Sequence, residues 1–200
     1  MSPTTQPLGR RDRNKQAKLE RITTAASELF AEFGVDEVTT QQIADAADIG
    51  TGTLFLYAKT KAELLLLVQN AHYFTALQGG RAAASDAPTA LDGVLALIKS
   101  IVECNRVQVD NGRAYLREMV FGDPTEPHHA EALSIVAQTQ EAIAGILADR
   151  AGVAQSEAST LARVVSAIMF LNLAASANAR ASTPEILAGI RTQVTAILPH

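Results

Sequence analysis

Basic side chains gather near the start of the sequence, in a chain whose formal net charge is −4. Segment 8–21 contains Arg10, Arg11, Arg13, Lys15, Lys18 and Arg21, against only Asp12 and Glu20. Guanidinium and ammonium groups at this density bind phosphates, so the segment is a candidate for contact with a polyanion. A solvated tail has the same composition, and the cluster alone leaves both interpretations open.

A second candidate for phosphate or base-edge chemistry is the run of small residues Gly50, Thr51, Gly52 and Thr53. Small side chains let the backbone approach a ligand closely, and the first N–H groups of a helix are free to bind a phosphate. A short helix that starts this way fits a DNA major groove, which is about 12 Å wide.

A pair of adjacent histidines and a single cysteine could in principle bind a metal or act as a nucleophile, but neither predicts a metal site or a catalytic site. His128 and His129 are adjacent, and neighbouring side chains on a helix point about 100° apart, so they chelate one metal poorly. Cys104 is the single cysteine, which excludes an internal disulfide and fits a reducing compartment. The sequence has no phosphate-binding or dinucleotide loop, nucleophile elbow or His-Glu-x-x-His motif. We therefore expect no enzyme activity, no catalytic or metal-binding residues and no cofactor.

Helices are expected to position all of these residues. Alanine, the best helix former, supplies 36 of the 200 residues, which favours an all-α fold. Apolar periodicity predicts helices over 14–33, 40–47, 51–57 and 60–78. Thr39 with Gln42, and Thr60 with Glu63, have the spacing of capping boxes, and Gly34 ends the first helix. Two short helices separated by a tight turn, between two longer helices, form a helix-turn-helix.

The rest of the chain is also predicted to be helical. A loop over 79–88 precedes helices at 89–109, 112–121, 126–150, 156–179 and 184–198, the last opened by Thr183 with Pro184. Run 164–179 is too short and too polar for a membrane span, which needs about 20 apolar residues, and is better explained as a helix at a subunit interface. Residues 1–13 are polar, so we expect no signal peptide, no membrane and a cytoplasmic location.

At this point the sequence resembles the TetR family of transcriptional regulators over about residues 15–65. The matching residues are Gly34, Val38-Thr39-Thr40, Ile43-Ala44, Ala46-Ala47, Ile49, Gly52-Thr53-Leu54-Phe55, Tyr57, Lys61 and Leu64-Leu65. Two positions depart from the family pattern. Asp48 replaces the usual turn glycine, and Asp tolerates the left-handed conformation better than most residues. Gly50 replaces a capping side chain, which weakens the second short helix.

The resemblance implies three domains and a DNA-binding surface. The domains are a flexible basic arm at 1–13, a helix-turn-helix domain at 14–62, and a ligand-binding and dimerisation domain at 63–200. The expected DNA-contacting residues are Thr39, Thr40, Gln41, Thr51, Gly52, Thr53, Phe55, Leu56, Tyr57 and Lys61, with Lys61 on a phosphate. The second short helix lacks Arg, Lys, Asn and Gln. Base choice then depends on threonine hydroxyls, thymine methyl groups, Gln41, DNA shape and the basic arm in a minor groove.

The resemblance also implies a homodimer on an inverted-repeat operator and a small-molecule effector. Candidate pocket residues are Phe74, Leu97, Ile101, Cys104, Tyr115 and Met119, which predict a largely hydrophobic ligand whose polar groups meet Tyr115 or His72. Candidate interface residues are Ile168, Leu171 and Ala175. The expected function is that of a repressor released from DNA by this ligand, and the alternative is a DNA-binding regulator that has no ligand.

Overall fold

The computed structural model describes residues 9–198, which contain no β-strand and confirm the all-α prediction. The helices are α1 (Arg10–Phe33), α2 (Thr40–Ala46), α3 (Thr51–Leu54), α4 (Lys61–Ser85), α5 (Ala90–Asn105), α6 (Val109–Phe121), α7 (Pro127–Ala151), α8 (Gln155–Ala174) and α9 (Thr183–Ile197). One turn of 3₁₀ helix, Ser176–Asn178, follows α8. The chain forms two compact units, 1–68 and 69–200, and α4 begins in the first and ends in the second. This division lies later than the predicted boundary between residues 62 and 63.

The first unit packs α1, α2 and α3 around an apolar core. Ile22, Phe30, Ile43 and Leu54 are almost completely buried in it. The start of α2 has the predicted capping box: the Thr39 hydroxyl accepts from the Gln42 N–H, and the Gln42 side chain accepts from the Thr39 N–H. Local side-chain capping therefore fixes where α2 begins.

The predicted flexible arm is wrong for residues 10–13, which form the first turn of α1. The Arg13 N–H donates to the Gly9 carbonyl at 3.0 Å, so the helical hydrogen bonds already start there. Arginine is a good helix former, and Asp12 in the first turn suits the positive end of the helix dipole. Residues 1–8 of the predicted arm lie outside the described residues.

The predicted loop at 79–88 is also wrong in its first part, because α4 continues through Gly79 and Gly80 to Ser85. A Cβ at Gly80 would lie 2.9 Å from the Leu97 carbonyl oxygen, so this glycine permits close packing of α4 against α5. The three alanines that follow, at 82–84, favour helix and extend it further.

The second unit packs α7 along α8, with α9 and α6 also against α8. Its core includes Leu97, Ile143, Leu147, Val165 and Ile190. Arginines bind carbonyls at helix ends: Arg150 donates to the Ser85 and Ala87 carbonyls, and Arg113 donates to the Ala175 carbonyl. Guanidinium groups suit these positions because helix C-termini leave carbonyl groups without intrahelical partners.

The last two helices differ from prediction at one end each. Helix α8 ends at Ala174, not at residue 179, and α9 is capped by Ser182, not by Thr183. The Ser182 hydroxyl and N–H both donate to the Glu185 carboxylate, which completes a capping box and lowers the pKa of Glu185. Thr183 instead occupies the first helical position.

Candidate nucleic-acid interface and ligand cavity

The turn between α2 and α3 depends on Asp48, whose φ of 52° is left-handed and confirms the expected conformation. After this residue the Ile49 N–H donates to the Ala44 carbonyl at 3.0 Å, which closes the turn. Arg21 of α1 lies 3.2 Å from the Asp48 carboxylate and also donates to the Asp48 carbonyl. Both side chains are exposed, so the pair orients the turn more than it stabilises it.

Gln41 connects the exposed sides of α2 and α3. Its amide nitrogen donates to the Asp45 carboxylate at 2.7 Å, and its amide oxygen accepts from the Thr51 hydroxyl at 2.7 Å. These bonds hold the first residue of α3 against α2. The second N–H of the Gln41 amide and the lone pairs of the Thr51 hydroxyl are not used in these bonds, so both side chains keep capacity to bind a base or a phosphate.

Helix α3 presents small polar residues at its start and large apolar residues just after its end. Gly50 caps it without a side-chain hydrogen bond, as expected, while Gly52 is exposed and Thr53 is half-buried. Phe55 and Leu56 follow, with 43% and 82% of their surface exposed. The remaining predicted residues at the start of α2 are Thr39, which is exposed, and Thr40, which is half-buried.

Tyr57 joins this surface to the start of α1, because its hydroxyl donates to the Lys15 carbonyl at 3.3 Å. Next to it lies what we call the basic groove, a surface depression lined by Arg10, Arg11, Asp12, Asn14, Lys15, Lys18, Leu56 and Tyr57. Arg11, Lys15 and Lys18 have the spacing of one helical face. The predicted helix over 14–33 already contained Lys15 and Lys18, but the sequence did not indicate that these side chains lie beside Leu56.

Lys61 lies at the first position of α4, where the helix dipole disfavours a cation. Its ammonium group donates to the Asp36 carbonyl at 3.1 Å, and the residue is half-buried. An ammonium group has three donors, so this contact leaves capacity to bind a phosphate.

Residues 22–68 match the family model described as bacterial regulatory proteins, tetR family. The match covers the α2–turn–α3 arrangement described above. The chain carries the DNA-binding domain of the TetR family. The resemblance inferred from the residues of this segment is thereby confirmed. No curated protein matches the sequence.

Several solved structures share the fold over nearly the whole chain. A TetR transcriptional regulator from Rhodococcus sp. RHA1 is 21% identical with a TM-score of 0.69, over 92% of this chain and 97% of that one. The FadR repressor of Thermus thermophilus, in complex with lauroyl-CoA, is 22% identical with a TM-score of 0.70, over 91% and 96%. FadR of Bacillus halodurans, a fatty acid degradation regulator, is 12% identical with a TM-score of 0.63, over 90% and 99%.

The second unit contains a cavity of about 270 Å³. Most of its lining is apolar, and α4 to α8 all contribute to it. The lining residues are Tyr73, Ile101, Tyr115, Leu116, Met119, Val120, Ile135, Val136, Thr139, Gln140, Arg163, Ser166, Ala167, Met169, Phe170 and Leu173. Its volume is near the lower end of small-molecule sites, which start at roughly 300 Å³.

Three predicted pocket residues line this cavity, namely Ile101, Tyr115 and Met119. The other three are not among the lining residues: Phe74 is 45% exposed, Leu97 is buried where α5 meets Gly80, and Cys104 is half-buried. Burial raises the pKa of the Cys104 thiol to about 11, so the reactive thiolate is disfavoured.

The tyrosine hydroxyls at the cavity are already bonded within the protein. Tyr73 and Tyr115 stack with ring centroids 4.3 Å apart, and burial raises the pKa of both phenols. Tyr73 accepts from the Asn105 amide at 2.6 Å, and Tyr115 donates to Asn70 at 2.9 Å. The predicted role of Tyr115 as a polar partner of the ligand is therefore not favoured. His72 is exposed and does not line the cavity.

The predicted interface residues lie on α8 or at its end, and they share an apolar stripe with Val164. Leu171 is 65% exposed and Val164 42% exposed, while Ile168 and Ala175 are half-buried. Among the described residues, α8 alone has the length and composition of a membrane span. Its hydropathy of 1.2 is low for that role, and only 22% of its most apolar window is buried. The stripe is therefore an apolar surface that lacks a partner within residues 9–198.

Proposed function

We propose that this protein is a sequence-specific transcriptional repressor that binds an inverted-repeat operator as a homodimer and leaves it when a small, largely hydrophobic effector binds. Such a protein acts in the cytoplasm and has no enzymatic activity. The observation that carries the proposal is the surface formed by α3 and the basic groove, within a segment that matches the TetR-family model.

Recognition of bases is assigned to α3 and Gln41. Thr53 offers a hydroxyl at the half-exposed face of α3, and the exposed Phe55 and Leu56 suit thymine methyl groups or sugars. Attraction to the phosphates is assigned to Lys61 and to the cations of the basic groove, which contribute affinity without sequence information. This division compensates for the absence of Arg, Lys, Asn and Gln in α3.

Dimerisation is assigned to the stripe that contains Ile168, Leu171 and Ala175. Exposed apolar stripes of this kind are costly in a monomer and are typical of subunit interfaces. A two-fold axis places two copies of α3 on successive major grooves, about 34–36 Å apart or a small multiple of that distance.

Effector control is assigned to the cavity of the second unit. A ligand shifts the protein off DNA only if it binds the form that cannot hold DNA more tightly, and DNA must then weaken the ligand by the same factor. The lauroyl-CoA held by the Thermus thermophilus relative supports a largely hydrophobic effector. A regulator without a ligand is the second candidate, because the cavity alone is compatible with an imperfectly filled core.

A variant that obstructs the cavity tests effector control. Compounds that raise the melting temperature are titrated into the complex with DNA selected by the protein from random sequences. Ala167→Phe adds an aromatic ring at an exposed position of the cavity lining to obstruct the cavity, and it is expected to keep DNA binding and lose release by the compound. The matched control is Ala130→Phe on the exposed side of α7, which is expected to behave like the wild type. If compounds stabilise the protein through the cavity but never change DNA affinity, the regulator without a ligand is favoured.

A further inference from the structure

Apart from two tyrosine hydroxyls, the polar side chains of the cavity come from two neighbouring helices. Thr139 and Gln140 belong to α7, and Arg163 and Ser166 belong to α8. The lining contributed by α4, α5 and α6 is apolar apart from the Tyr73 and Tyr115 hydroxyls, which are bonded elsewhere. A ligand in this cavity therefore meets polar groups on one side and apolar groups on the others.

Ser166 is unusual among the hydroxyl residues of the second unit. Its buried Oγ has no hydrogen-bond partner among the described residues. A serine or threonine in a helix normally donates to the carbonyl four residues earlier, as Ser159 and Thr139 do at 2.8 Å. A buried hydroxyl without a partner is costly, so one that lines a cavity is best explained by a polar atom supplied there.

Arg163 differs from the four arginines of the second unit that bind backbone carbonyls. Arg81, Arg106, Arg113 and Arg150 each donate to a backbone carbonyl of a neighbouring element. Arg163 makes no hydrogen bond or ion pair with any residue in 9–198, and it is exposed. Together with Gln140 it also lines a second, outer depression, which places both residues at the mouth of the cavity.

Arg163 and Ser166 are three residues apart on α8, where Cβ atoms lie about 5–6 Å from each other. A carboxylate has two oxygens and accepts several hydrogen bonds, so a single group can accept from both side chains. An alcohol can satisfy Ser166 but leaves the guanidinium without a counter-charge. A thioester carbonyl has the same deficiency, because it carries no charge and the phosphates of coenzyme A are separated from it by the whole pantetheine chain.

We propose that the effector is an apolar monocarboxylate whose carboxylate accepts hydrogen bonds from Ser166 and Arg163 at the cavity mouth, while its body lies against Ile101, Met119 and Phe170. This inference rests on the proposed function, which assigns the effector to this cavity, and adds the chemical class of the ligand. The free acid is the ligand, and its coenzyme A thioester is not.

Calorimetric titration of the full-length protein with matched pairs tests this assignment. The probes are decanoate with 1-decanol, 2-naphthoate with 2-naphthalenemethanol, and decanoyl-coenzyme A. We expect the better-bound carboxylate to bind about tenfold more tightly than its alcohol, which is typical of a charge-assisted hydrogen bond. Arg163→Gln is expected to abolish this preference, and Ser166→Ala to reduce it several-fold. The matched control is Arg117→Gln, an exposed arginine of α6 outside the cavity lining, and it is expected to retain the preference.

Three results would overturn the inference: alcohols that bind as tightly as the acids, a preference that survives Arg163→Gln, or binding of decanoyl-coenzyme A alone. Absence of binding by every probe would also overturn it. Thermal unfolding of each variant verifies folding, and Ser166→Ala removes an unpaired polar atom and is not expected to lower stability. The proposed function is tested separately: a carboxylate that binds as expected but leaves the protein–DNA complex intact refutes effector control and not the ligand class.

Discussion

The cations of the basic groove provide a quantitative test of how this protein holds DNA. Arg11, Lys15 and Lys18 occupy one face of α1, are exposed, and line the groove beside Leu56 and Tyr57. Replacing all three with glutamine removes three positive charges and keeps the propensity of α1, because glutamine is a good helix former. The Tyr57 contact to Lys15 uses the backbone carbonyl and is retained.

The size of the effect follows from counterion release. Each phosphate contact contributes about 0.9 to the slope of log affinity against log salt concentration. Three contacts in each protomer of the proposed dimer make six, and their loss lowers the slope by about 5.4. Doubling the salt concentration is then expected to weaken the wild type about 40-fold more than the variant.

Fluorescence anisotropy with selected DNA at several salt concentrations measures both slopes. The matched control replaces Arg117, Arg180 and Arg191 with glutamine, which changes the net charge equally at exposed positions of the second unit. We expect this control to retain nearly the wild-type slope, because its cations make no phosphate contacts. An unchanged slope in the α1 variant, or an equal loss in the control, would refute the assignment of the basic groove to phosphate binding.

Four further predictions concern single residues. Lys61→Ala is expected to weaken binding to all DNA sequences alike and to lower the salt slope by about 0.9 per protomer. Thr53→Ala is expected to change base preference by about 1–3 kcal/mol. Competition binding against mutated sites would show both effects. Leu171→Arg places an unpaired charge in the proposed interface at a cost of several kcal/mol; sedimentation should then show folded monomers, and a fully dimeric variant would place the interface elsewhere. Because the pKa of Cys104 is raised in the folded protein, the thiol ionises first in the unfolded chain. Its contribution to the free energy of unfolding is therefore fully present below about pH 9 and is lost as the pH rises towards 11. Cys104→Ala should reduce this loss when urea unfolding is measured at several pH values, and an unchanged pH profile would contradict the prediction.

The elements that the sequence predicted well are those fixed by local chemistry. The capping box of Thr39 and Gln42 starts α2, and Asp48 adopts the left-handed turn conformation, because each depends on residues within a few positions. The N-terminus of α9 was misplaced by one residue, since Ser182 and Thr183 are both good caps and only Ser182 has Glu185 three residues later.

The errors arose where distant residues decide the structure. The segment that begins with Gly79 and Gly80 has the composition of a loop. Gly80 nevertheless lies within α4, where it allows close packing against Leu97 of α5. The predicted list of cavity residues was incomplete for the same reason. Arg163 and Ser166 line the cavity from a helix about ninety residues after Tyr73 in the sequence. Tyr73 was missed in favour of Phe74, although one step along a helix turns a side chain by about 100° and moves it from the cavity to the surface.

The most direct test of the central claim is selection of bound sequences from random double-stranded DNA by the full-length protein. Specific recognition by a dimer predicts strong enrichment of an inverted repeat, with half-sites separated by about one helical turn of 10–10.5 base pairs or a small multiple. In that motif the positions read by α3 should change when Thr53→Ala replaces the wild type in the selection. Recovery of DNA without an enriched sequence, or of a single asymmetric half-site bound by a monomer, would contradict the account.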